Sequence, residues 1–118
     1  MAMPDLIAVD VGGTPIAVRD TGSAKPPLVL LHGLGGSSQS WAFQFRALAA
    51  DFRLIAWDMP GYGGSGGFVR DNPTVEHYAH TLSAVLDTIG AFKAHVVGQS
   101  VAALIGAAYA VEYPDQTL

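Results

Sequence analysis

The chain contains no cysteine. That excludes a disulfide framework and any zinc site built on thiolates. Charge is scarce too: Lys, Arg, Asp and Glu make up 14% of the 118 residues, against roughly 25% in an average globular protein. The six basic residues are scattered among ten acidic ones, for a net charge of −4. There is no basic block and no aromatic-basic interleaving of the kind that holds nucleic acid. No apolar run approaches the roughly 20 residues needed to span a bilayer. The start, Met1-Ala2-Met3-Pro4-Asp5, lacks the basic segment and long apolar core of a secretory signal. Repeats, low-complexity tracts, metal-ligand spacings and phosphate loops are absent, and the glycines at 61, 63 and 64 lead into no immediate helix start. These absences lead to the expectation of a cytoplasmic protein with no cofactor, no metal, and no nucleic-acid or membrane partner.

What is present is hydrophobic: half of all residues. The length suffices for one small domain, residues 1–118, and not for two. A free-standing domain of this size has a large surface for its volume and is normally more polar. The composition suits the buried inner strands of a larger α/β domain, so the expectation is an N-terminal part of such a domain.

Residues 6–9 and 16–19 flank Gly12-Gly13-Thr14-Pro15 and predict two strands joined by a tight turn. Residues 28–31 are apolar throughout, as in a strand covered on both faces. Ser37 or Ser38 can cap a helix to about residue 50, with Trp41, Phe45 and Leu48 on one stripe. A fourth strand covers residues 53–57, and a glycine-rich loop covers 61–67. A helix from about Asn72-Pro73-Thr74 to Gly90 carries Val75, Leu82, Val85, Leu86 and Ile89 on its apolar face. Its polar face is Glu76, His80, Ser83 and Asp87. A fifth strand, residues 94–97, leads to Ser100, and a last helix runs to about Tyr113, where Pro114 ends it. Alternating strands and helices with right-handed crossovers predict a mostly parallel sheet with flanking helices.

The chemistry points to one corner. Ser100 sits between the fifth strand and the last helix, in Gly98-Gln99-Ser100-Val101-Ala102. Exposing a side chain at the top of a sheet requires a sharp turn with the serine backbone strained. Bulk two positions before or after would collide with the neighbouring strand or helix, so Gly98 and Ala102 fit. A serine at a helix N-terminus has free N–H groups beside it, and they favour a developing negative charge. The bland alternative is a serine that merely caps a helix. Two further strand ends carry motifs: His32-Gly33-Leu34-Gly35-Gly36 after the third, and Asp58-Met59-Pro60-Gly61-Tyr62-Gly63-Gly64-Ser65 after the fourth.

With these three motifs in this order, the chain resembles the α/β-hydrolase superfamily from about Leu28 onward, and the first two strands match more weakly. The resemblance implies that Ser100 is a nucleophile and that the backbone N–H groups of Leu34 and Val101 form an oxyanion hole. His32, Gly33, Gly98 and Ala102 support the motifs. It also implies the first five strands and three helices of that fold, with the third strand central and the fifth beside it. The implied activity is hydrolysis of a small ester, lactone or activated C–C bond through an acyl-enzyme, on a small-molecule substrate. The family places its acid and histidine after the serine. Here Glu112 and Asp115 follow, but no histidine does. His32 is expected to be a structural member of its turn. His77 and His80 are expected to be solvated, and His95 lies at the far end of its strand. Asp58 is expected to accept N–H bonds in the Pro60-Gly61 turn, and Asp115 lies too far along the chain to be the acid. Two other classes stay open: a small-molecule receptor on the same fold, and an inactive piece that binds itself or a partner. Self-association would use the exposed edge of the fifth strand, where residues 94–97 would leave N–H and C=O groups unpaired and where Leu104, Ile105 and Tyr109 would lack packing partners.

Overall fold

A computed structural model describes residues 3–68 and 73–118. Strands β1 (Ile7–Val11) and β2 (Thr14–Asp20) form the opening hairpin. Its two-residue turn is Gly12-Gly13, with φ of +58° and +90°, a left-handed pair that glycine adopts without steric cost. Strands β3 (Pro27–Leu31), β4 (Arg53–Trp57) and β5 (His95–Gly98) complete a five-stranded sheet of order β1-β2-β4-β3-β5. β3 is central among the parallel strands and pairs with both β4 and β5. β2 is antiparallel to β1 and to β4. At the foot of the sheet the Arg53 guanidinium grips the Asp20 carboxylate, with Nε at 3.0 Å from Oδ1, and donates to the Ile89 carbonyl at 2.8 Å.

Side chains of β3 and β4 alternate between two cores, as a period of two requires. Leu28, Leu30, Leu54 and Ala56 face Trp41 and Phe45 on one side. Val29, Leu31, Ile55 and Trp57 face two helices on the other. The first helical segment is shorter than the sequence suggests. Ser37 caps a 3-10 turn, Ser38–Trp41, which passes into α1 (Ala42–Leu48). The second helix, α2 (Val75–Thr88), is capped by Thr74 and followed by Gly90 at φ +75°. The expected start at Asn72 lies outside the described residues. The third, α3 (Ala102–Glu112), leads into a 3-10 turn, Pro114–Gln116.

Three expectations are corrected. Ser83 is buried, because α2 packs against α3 as well as the sheet and so buries a wider stripe. Ile105 and Tyr109 are buried for the same reason, and of the three α3 side chains expected to lack partners only Leu104 is exposed. The expected bare edge, residues 94–97, is covered at its first residue alone, just before β5. Ala94 donates to the Gln116 carbonyl at 3.0 Å and accepts from the Leu118 N–H at 2.9 Å, so Thr117 forms a parallel bridge there.

Candidate active site

The site grows from the ends of three parallel strands. At the end of β5, Ser100 has φ +58° and is the sole non-glycine residue with positive φ among the described residues. Such a conformation costs a non-glycine residue on the order of 1–3 kcal/mol. The strain is held by short bonds around the corner. Gln99 donates to the Leu31 carbonyl of the neighbouring strand, Ala102 to Gln99 and Ala103 to Ser100, each at 3.0 Å. The flanking positions show why only small residues fit. A Cβ on Gly98 would strike the Ala102 carbonyl oxygen and lie 2.6 Å from its carbon. Ala102 itself is completely buried. Ser100 remains exposed at the rim.

The turn after β3 packs directly on this corner. A Cβ on Gly33 would come within 3.2 Å of both the Gln99 carbonyl oxygen and the Ser100 Cβ. His32, fully buried, fixes the turn through both ring nitrogens. Its Nδ1 lies 2.8 Å from the Gly33 carbonyl, and its Nε2 lies 2.9 Å from the Met59 N–H. The Met59 N–H can only donate, so Nε2 is the acceptor and Nδ1 carries the proton. Neither nitrogen is left to serve as a base. Among the described residues, neither the Leu34 nor the Val101 backbone N–H has a hydrogen-bond acceptor.

The loop after β4 closes the arrangement. Asp58 is buried and accepts from the Ser38 N–H at 2.7 Å and the Gly64 N–H at 2.9 Å. Burial pushes its carboxyl up, but these donors outweigh burial and hold it below the usual carboxylate range. Its partners are therefore Ser38 and Gly64 and not the Pro60-Gly61 turn, because Gly63 at φ +50° folds the loop back over the carboxylate. The Ser65 hydroxyl donates to the Asp58 carbonyl and accepts from the Ala17 N–H at 2.8 Å. One carboxylate thus ties the Ser37 turn to the glycine-rich loop.

The other histidines lie elsewhere. His77 is half-buried and caps α2, its Nδ1 accepting from the Thr74 N–H at 2.8 Å. The capping bonds lie at the exposed surface, so the side chain is both tied to the helix start and open to solvent. The capping pattern was readable from the threonine three positions earlier. His80 lies 3.6 Å from a Glu112 oxygen on the surface of α2 and α3. His95 begins β5, edge-on to Phe52. Asp115 is exposed in the turn after α3.

Between the Leu34 turn and the start of α3 opens a cavity of about 220 Å³. Besides Leu34 and Val101 it is lined by Met59, Tyr62, Tyr78 and Ile105. Tyr62 and Tyr78 were not marked as site residues by the sequence. Tyr62 lies in the glycine-rich motif after β4 but carries no motif role, and nothing local places a residue on α2 at this site. Among the described residues, no cluster of three potential metal ligands exists and no helix is long and apolar enough to cross a membrane.

A family model described as alpha/beta hydrolase fold matches residues 26–116. The chain is 39% identical over 111 residues to 2-hydroxy-6-oxononadienedioate/2-hydroxy-6-oxononatrienedioate hydrolase of Paraburkholderia phymatum, covering 89% of this chain and 38% of that protein. It superposes on Epoxide Hydrolase A from Mycobacterium thermoresistibile with a TM-score of 0.87 at 32% identity, over 97% of this chain and 37% of the other. It also superposes on a bacterial membrane phospholipase A with a TM-score of 0.90 at 29% identity, over 98% and 37%. The chain spans about 38% of the length of the curated relatives it matches first.

Proposed function

The chain belongs to the α/β-hydrolase family, and from that premise we propose that it carries the nucleophile and oxyanion-binding half of a serine hydrolase. One observation carries this reading: Ser100 is held at φ +58° on a corner where neighbouring backbone leaves room only for glycine at position 98. Strain maintained by its surroundings is what exposes a side chain at a reacting position. The Ser100 Oγ attacks a carbonyl carbon as its proton passes to a base; the C–O or C–C bond to the leaving group breaks, that group departs with the proton, and water then hydrolyses the acyl-enzyme to a carboxylic acid and free serine. The negative charge developing on the carbonyl oxygen is met by the uncommitted N–H groups of Val101 and Leu34.

A serine hydroxyl needs a base to take its proton. None of the four histidines here fills that role: His32 is engaged at both nitrogens, and the others sit on α2 or at the opposite end of β5. The substrate class is a small ester, lactone or activated carbon–carbon bond. The relative from Paraburkholderia phymatum is named for a keto-enol dicarboxylate. The cavity, at about 220 Å³, is smaller than the roughly 300–1,000 Å³ of drug-sized sites, which suits a small acyl group.

The test is incubation of the purified 118-residue chain with p-nitrophenyl acetate. Expected is slow acetylation of Ser100, seen by peptide mass, with turnover far below the enzyme median of about 10 per second. Turnover near that median would mean that a base lies within the chain. Acetylation at another residue would remove Ser100 from the mechanism.

A further inference from the structure

The cavity beside the proposed oxyanion donors has an apolar wall interrupted by two phenols, Tyr62 and Tyr78. Both rings are held by edge-to-face packing. Tyr62 meets His32 at a centroid distance of 5.4 Å, and His32 is itself fixed by two hydrogen bonds. Tyr78 meets Phe68 at 4.9 Å and 85°. Both side chains also pack on the main core. Among the described residues neither hydroxyl has a hydrogen-bond partner, whereas the buried Tyr109 hydroxyl has one in Gln116, at 3.1 Å. Neither hydroxyl is among the buried unpaired polar atoms, so both stand open to solvent. A pair left free on the wall of one apolar cavity, on rings that are already ordered, provides two donors with little entropy left to lose on binding.

We propose that Tyr62 and Tyr78 form a polar subsite for an oxygen acceptor, a ketone or carboxylate oxygen, carried by the substrate away from the bond that breaks. This rests on the reading of Ser100 as nucleophile and narrows its substrates. The acyl group is not a plain alkyl chain but bears a second carbonyl-type oxygen. Plain alkyl would leave both hydroxyls desolvated and unpaired, which costs more than the hydrogen bonds would return. Burial raises the Tyr78 hydroxyl above its ordinary value, and the neighbouring Tyr62 phenol adds to this. The Tyr78 hydroxyl therefore stays protonated and able to donate at neutral pH. The two tyrosines are specificity residues under this proposal and take no part in bond breaking.

The test uses an uncharged pair of similar size, cyclohexanone and chlorocyclohexane, titrated into the 118-residue chain and followed by tyrosine ring NMR shifts. The wild-type chain is expected to bind the ketone roughly tenfold more tightly, the worth of one or two net hydrogen bonds. Tyr62→Phe and Tyr78→Phe keep the ring packing, so the amide spectrum is expected to stay native-like while each variant loses most of the preference. Ser100→Ala is expected to keep it. No preference in the wild-type chain overturns the proposal. A preference surviving the double Phe variant also overturns it and assigns ketone binding to the Leu34 and Val101 N–H groups, leaving the nucleophile reading intact.

Discussion

Two glycines in the same strand–helix unit are expected to respond to one added methyl group with opposite signs. Gly98 ends β5 and Gly106 sits inside α3. A Cβ on Gly98 would overlap the Ala102 carbonyl and lie 2.8 Å from the Ala103 Cα. These are backbone atoms of the first turn of α3, and they cannot rotate away. Gly98→Ala must therefore shift the helix start or break the corner, and overpacking of this kind costs about 1–3 kcal/mol. A Cβ on Gly106 would meet only the Val96 Cγ1, at 3.5 Å, an ordinary contact. Gly106→Ala is expected to gain about 0.5–1 kcal/mol from helix propensity and lower chain entropy in the unfolded state. The two variants should thus differ by about 1.5–4 kcal/mol. With a urea dependence of about 2 kcal/mol per molar, the middle of the usual range, that separates their unfolding midpoints by roughly 1–2 M. The assay is equilibrium urea unfolding read by the fluorescence of Trp41 and Trp57. Equal midpoints for the two variants would refute the close approach of β5 and α3 and, with it, the account of why Ser100 is strained.

Ser100→Gly is expected to be more stable than Ser100→Ala by roughly 1 kcal/mol, since glycine alone occupies φ +58° without steric cost; thermal unfolding of the two variants decides it. Ala102→Leu should destabilise by roughly 1–3 kcal/mol, because the position is completely buried, and a melting temperature equal to that of the parent chain would contradict this. Asp58 is held below the usual carboxylate range: burial raises it, and the Gly64 and Ser38 donors lower it further. Its contribution is therefore present above the unfolded-state value near about 4 and lost as pH falls through the lower folded-state value. Asp58→Asn should flatten the acid limb of the stability–pH curve, and an unchanged limb would show that this carboxylate is not what titrates there.

Much of this arrangement was legible because it depends on local patterns. Five strands and three helices follow from apolar runs and caps, and the central place of β3 follows from the family resemblance. The sharp corner at Ser100 follows from the spacing of Gly98, Ser100 and Ala102, whose reason is steric and short-range. What was not legible depends on contacts between distant segments. Ser83 reads as polar on a helical wheel, yet α2 lies against both the sheet and α3, which widens the stripe it buries. The Asp58 partners come from Ser38, 20 positions away, and from a loop folded back by Gly63. Tyr62 and Tyr78 share a cavity only because the loop after β4 and the first turns of α2 meet there. The bridge between Ala94 and Thr117 likewise depends on α3 returning the chain beside β5.

The most direct test of the central claim is to map where a fluorophosphonate probe modifies the chain. Seven serines are available, at positions 23, 37, 38, 40, 65, 83 and 100. Labelling should occur slowly and at Ser100 alone, and it should speed up when free imidazole is added as an external base. It should vanish in Ser100→Ala. Labelling spread over exposed serines, or undiminished in Ser100→Ala, would contradict the account.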